Sequence, residues 1–145
     1  MAIANLHETL MTYKLRANEL NLEITEYQAQ KTLATYSTAD AQQLKNADDN
    51  ANRRYYKELY ESDEAYYKDE CGYLDYTEIP DFEEMVDKIT AKYEDELNEL
   101  TAWETELDSL ITTASAELEE VNAYKESIQS MLQNNIQEDF NYGLS

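Results

Sequence analysis

Few residues in this chain carry reactive chemistry, and their spacing limits what they can do. His7 is the only histidine and Cys71 the only cysteine among 145 residues. A single imidazole excludes His-based zinc sites and the paired Glu-x-x-His motifs of di-iron bundles. His7-Glu8 begins like the helical zinc motif of metalloproteases, but Met11 stands where the second histidine belongs. Two glycines cannot build a phosphate-binding loop. A Cys-His or Ser-His-Asp set would need residue 7 beside residue 71, and an antiparallel hairpin puts them at opposite ends. The expectation is a protein that is not an enzyme. What remains to weigh is one short acidic stretch around Gly72.

The run Gly72-Tyr73-Leu74-Asp75-Tyr76-Thr77-Glu78 resembles the second half of an EF-hand calcium loop. In such a loop a glycine makes the sharp turn, an aliphatic residue follows two positions on, and a glutamate closes the site. The resemblance implies calcium as the one candidate cofactor, with Asp69, Asp75 and Glu78 as ligands. It covers twelve residues. Tyr67 and Cys71 occupy the first and fifth positions, where oxygen ligands belong, so binding would be weak. The alternative reading makes Gly72 a helix C-cap, packs Leu74 and Ile79 at the tip and leaves the acids to solvent.

Seven of the thirteen tyrosines lie between residues 55 and 76. Neighbours on a helix sit ~100° apart. Each adjacent pair, Tyr55-Tyr56 and Tyr66-Tyr67, therefore cannot share one stripe, and one member of each must face outside the hairpin. Rings of this kind recur at interfaces because they contribute area at low entropy cost, so these four residues are the candidate interface.

The elements that position these residues are read from their breakers. Glycine and proline occur only at 72, 80 and 143, and each costs a helix interior about 1 to 3 kcal/mol. The chain is expected to be all-α, one helical hairpin over residues 1–145, with a first arm over about 3–67, a tip at 68–80 and a second arm over about 81–140. Leu6, Leu10, Tyr13, Ala17, Leu20, Ile24 and Tyr27 alternate steps of four and three, a coiled-coil-like stripe. Ser37 with Asp40 three residues on marks a place for a kink or a fresh start. Ala41, Leu44, Ala47, Ala51, Tyr55 and Leu59 then read as the continuing stripe. Pro80 suits a first helical turn, with acids after it. In the second arm, apolar residues from Phe82 to Ile136 follow steps of three and four with recurrences at eleven, which means nearly straight helices. Leu10, Leu20 and Ile24 are expected opposite Val121 to Ile136, and the tail from Phe140 to Ser145 is expected to fray.

Acids outnumber bases 32 to 11, a net charge of −21. The first fifty residues are nearly balanced, and the excess lies in the rest. No basic cluster supports direct nucleic-acid binding, and no run reaches the ~18 apolar residues of a membrane span. The first residues lack the basic and apolar regions of a secretory signal. The default compartment is the cytoplasm, with signal-less secretion or surface assembly as the other route. Two helices bury only a seam, so the pair should gain from self-association. The reading is a structural protein whose hairpins form a homo-oligomer or filament. The alternatives are an acidic binding module, acting as a chaperone for a basic protein or a mimic of nucleic-acid charge, and a weak calcium-binding hairpin.

Overall fold

The computed structural model describes residues 2–144, with side chains through Phe140. Two long helices, α1 (Ile3–Ser62) and α2 (Pro80–Leu144), pack against each other as an all-α helical hairpin, with no strand among the described residues. Between them lie a π-helical turn, Tyr66–Glu70, and a 3-10 turn, Tyr76–Glu78. None of the helices is long and apolar enough to cross a membrane.

α1 runs through Ser37 without a break, so no fresh helix start occurs there. A capping residue helps only where a helix begins. Here the Thr38 hydroxyl lies 2.9 Å from the Ala34 carbonyl and 3.2 Å from a Glu104 carboxylate oxygen. It is used inside the helix and across the seam. α1 also stops at Ser62, short of the expected residue 67. The Cys71 amide donates to the Tyr66 carbonyl, five residues back, and the Tyr73 amide reaches the Tyr67 carbonyl at 2.9 Å. Gly72, at φ +73°, supplies the left-handed residue that ends this widened turn. α2 begins at Pro80, as the first-turn preference predicts, with Asp81 and Glu83 at its positive end. Its helix continues to Leu144, past the point where fraying was expected; Ser145 lies outside the described residues.

The chain packs as two compact units. In the first, residues 1–31 with 105–145, Ala17, Leu20, Ala114 and Val121 form the buried cluster, and Tyr13, Ile24 and Leu118 pack on it. Tyr13 stacks on Tyr124 at 5.7 Å, Arg16 forms an ion pair with Glu117 at 2.8 Å, and Lys31 does so with Asp108. Leu20 and Ile24 thus share a cluster with 114–121, one to two turns earlier than the expected 121–136, because the Tyr13–Tyr124 and Arg16–Glu117 contacts set the pairing there.

In the second unit, residues 32–104, the buried positions of α1 are Ala34, Ala41, Asn52, Tyr56 and Tyr60, with Lys45, Asp48 and Leu59 half-buried between them. The stripe expected from Ala41 to Leu59 is therefore rotated by one residue: Leu44, Ala47, Ala51 and Tyr55 are exposed. The seam accepts Asp48 there because its partners satisfy it. Tyr93 donates to Asp48 at 2.7 Å and Lys92 reaches the same oxygen at 3.4 Å.

Candidate interaction surface

The hairpin tip gathers five of the thirteen tyrosines into one aromatic cluster. Tyr56, Tyr60, Ile79 and Phe82 are buried, with Tyr67, Tyr73 and Tyr76 packed around them. Phe82 meets Tyr56 and Tyr76 edge-on at 5.7 and 5.3 Å. Tyr67 stacks between Tyr60 and Tyr73 at 5.9 and 6.4 Å. The Tyr60 hydroxyl lies within hydrogen-bond reach of the Tyr73 and Leu74 carbonyls, at 2.9 and 3.2 Å. It ties the descending loop to α1 and satisfies carbonyls that no helix uses. Burial holds the Tyr56 and Tyr60 hydroxyls above the ordinary tyrosine pKa, and nearby acids push the same way.

The two tyrosine pairs divide. Tyr56 is 8 % exposed and Tyr67 packs into the cluster, whereas Tyr55 and Tyr66 face outward. Of the four candidate interface residues, two belong to the hairpin's own core. Tyr66 hydrogen-bonds to Cys71, and this contact comes first among the causes that raise its pKa. Tyr55 meets Tyr56 edge-on at 5.0 Å and is otherwise open to solvent.

Two of the three carboxylates of the calcium-loop resemblance already serve the backbone. Asp75 accepts from the Thr77 amide at 2.8 Å and from the Thr77 hydroxyl, capping the 3-10 turn. Its bond from the Thr77 hydroxyl, then that from the amide, holds its pKa below the usual carboxylate value. Glu78 accepts from the Leu74 amide at 2.5 Å. Asp69 lies in the π-helical turn. Among the described residues, no three His, Cys, Asp or Glu side chains are grouped so as to hold a metal ion. Asp69, Asp75 and Glu78 are near in sequence but are not brought into one such group.

The surface that sequence reasoning missed lies on the flank of α1. Within residues 32–62, Leu33, Tyr36, Leu44 and Tyr55 are 58 to 67 % exposed, and Asp40, Ala47 and Ala51 lie exposed among them. These seven positions advance by three, four, four, three, four and four, a pattern of eleven residues in three turns. At ~100° per residue they form one band, turned roughly 120° around the helix from the seam. Asp40 is the only charge at these seven positions, with the exposed Arg54 on the band's edge about five turns after Tyr36. Met11, Leu15 and Leu22 are likewise exposed in residues 3–31. The legible signal was the recurrence of Leu22, Leu33, Leu44 and Tyr55 at intervals of eleven.

Beside this band, Ala51, Asn52, Tyr55, Tyr56, Met85 and Ile89 line an open groove of about 410 Å³. Asn52 is 8 % exposed, and its amide nitrogen has no hydrogen-bond partner among the described residues. On α2 the exposed surface of this unit is acidic: between Asp81 and Glu104 stand nine acids and two lysines. Lys88 pairs with Glu84, and Lys92 with Asp48.

The chain matches no family model, no curated protein and no solved structure.

Proposed function

We propose that this protein is a non-enzymatic structural protein whose helical hairpins self-associate into an oligomer. The observation that carries the reading is the apolar flank of α1. Large apolar side chains stand at helical spacing, outside the hairpin seam and in contact with water. Scattered exposed leucines need no explanation, but an ordered band nearly free of charge does. Its spacing fits the ridge of another helix rather than a small ligand or a lipid surface. The anionic surface further disfavours membranes.

Charge sets the condition for assembly. Copies carrying −21 each repel over a range that shrinks to ~10 Å near 0.1 M salt, so association strengthens as salt rises. Sedimentation velocity across a concentration and salt series tests this. The expected result is a shift to larger species with both variables. A monomer at high concentration and moderate salt, with full helicity by circular dichroism, overturns it.

A second reading rests on the acidic exposed surface of α2, which suits a basic protein client. In that case polylysine binds stoichiometrically, with an affinity that falls steeply with salt, and the chain alone stays monomeric.

A further inference from the structure

We propose that the flank of α1 between Leu33 and Tyr55 is an antiparallel, two-fold contact with a second copy of this chain, centred on Leu44. The inference rests on the self-association reading and specifies its surface and register.

The band reads almost the same in both directions. Leu33 and Tyr55 each stand eleven residues from Leu44. Antiparallel pairing about Leu44 sets Leu33 of one copy against Tyr55 of the other, twice over. It also brings Tyr36 within one residue of the level of Ala51, and Asp40 within one residue of the level of Ala47. Tyr36 and Asp40 then each come near an alanine rather than their own kind, while Leu33 packs on Tyr55 and Leu44 on its own copy, a more even filling of the contact. Parallel pairing would instead stack Tyr36 on Tyr36, Asp40 on Asp40 and alanines on alanines. That leaves bulk at one level, like charge at another and gaps at a third. Self-complementarity of this kind is what a closed two-fold contact requires.

Charge singles out the same occupant. A basic partner would be drawn to the nine acids of α2 rather than to a band with one carboxylate. Two highly anionic copies, in contrast, approach at least cost where each carries least charge, and between residues 32 and 62 α1 has five acids against four bases. Arg54 flanks the band on the side where Tyr36 of the second copy arrives, close enough in level for a cation–π contact. The four large side chains, 58 to 67 % exposed, amount to on the order of 500 Å² per copy, below the ~800 Å² of a standard stable interface. A reversible dimer follows, rather than an obligate one.

Single cysteines in a Cys71→Ser background, joined by a short bifunctional thiol reagent, test the register. Leu44→Cys should crosslink into a dimer. Leu33→Cys and Tyr55→Cys should each crosslink poorly alone and efficiently when mixed. Separately, Leu44→Lys should weaken association at least tenfold with helicity unchanged. Efficient crosslinking of Leu33→Cys to itself, with none in the mixture, overturns the antiparallel register. Association by sedimentation without any crosslink at 44, and insensitive to Leu44→Lys, overturns this surface while leaving self-association standing. A chain that stays monomeric throughout overturns both.

Discussion

Between residues 32 and 62 the two faces of α1 invert the usual rule. The face turned to α2 holds Lys45, Asp48 and the buried Asn52 among its apolar residues, whereas the exposed flank holds Leu33, Tyr36, Leu44 and Tyr55 with a single acid. A helix usually buries its most apolar stripe. Here it exposes that stripe and buries a more polar one, and the self-association proposed above would cover the exposed face. The hairpin seam, for its part, is held by specific contacts rather than by bulk hydrophobicity: Tyr93 to Asp48, Thr38 beside Glu104, and the aromatic cluster at the tip.

The sharpest way to break this comparison is to truncate one large side chain on each side. Phe82 is 7 % exposed and touches Tyr56 and Tyr76, so Phe82→Ala should cost about 3–5 kcal/mol of hairpin stability. Leu44→Ala, on the flank, should change the stability of the dilute monomer by less than about 0.5 kcal/mol and weaken only association. Urea denaturation at low concentration separates the two. A large loss for Leu44→Ala would mean that the flank is packed within the hairpin after all.

The inversion also explains which parts of the fold could be read from sequence. From Leu6 to Tyr27 the seam is the most apolar stripe available, and periodicity finds it. The breakers at Gly72 and Pro80 mark the tip and the start of α2 correctly, because positive φ and a first-turn proline are local requirements. From Ala41 to Tyr55 the stronger stripe is the flank, so the same method selects the wrong face by one residue. Asp48 is a satisfactory seam residue only in company with Lys92 and Tyr93, a pairing invisible until the helices meet, and nothing in the sequence marks Asn52 as buried. The π-helical turn and the hold of the Tyr60 hydroxyl on the loop carbonyls are likewise products of tertiary packing. At the candidate site, the outward aim of one tyrosine in each pair was legible from the ~100° step between neighbours. Which one was not, because it depends on the seam.

Asn52 gives the next test in size. A buried amide without a partner costs about 1–3 kcal/mol, so Asn52→Leu should raise the hairpin's stability by about 1 kcal/mol. Polar residues in a helical seam commonly fix register at the expense of stability. The leucine variant should accordingly be more stable but less uniform. Thermal melts and proton–nitrogen spectra read the two properties separately. A less stable variant would show that the amide is already satisfied in solution.

Restoring apolar character to the seam has a counterpart in titrating it, with a smaller effect. Asp48 accepts from Tyr93 and then from Lys92, and both bonds hold its pKa below the usual carboxylate value. The bond to Asp48 raises Tyr93, and burial raises Tyr56 and Tyr60. Lys92 is raised by its bonds to Tyr93 and Asp48. A depressed carboxyl stabilises the fold above its unfolded pKa near ~3.9, and that contribution is lost as pH falls through the lower folded value. The raised tyrosines and lysine do the reverse. Their contribution is complete below about pH 10 and is lost as pH rises through the folded values, because the unfolded chain releases those protons first. Melting temperature should be nearly level between these limits and fall on both sides. Asp48→Asn should flatten the acid limb and make the alkaline limb shallower, since Tyr93 and Lys92 lose the charge that held their protons. Unchanged limbs in that variant, measured by circular dichroism on dilute protein, would show that the Asp48 contacts contribute nothing to the seam and that the aromatic cluster alone holds this unit together.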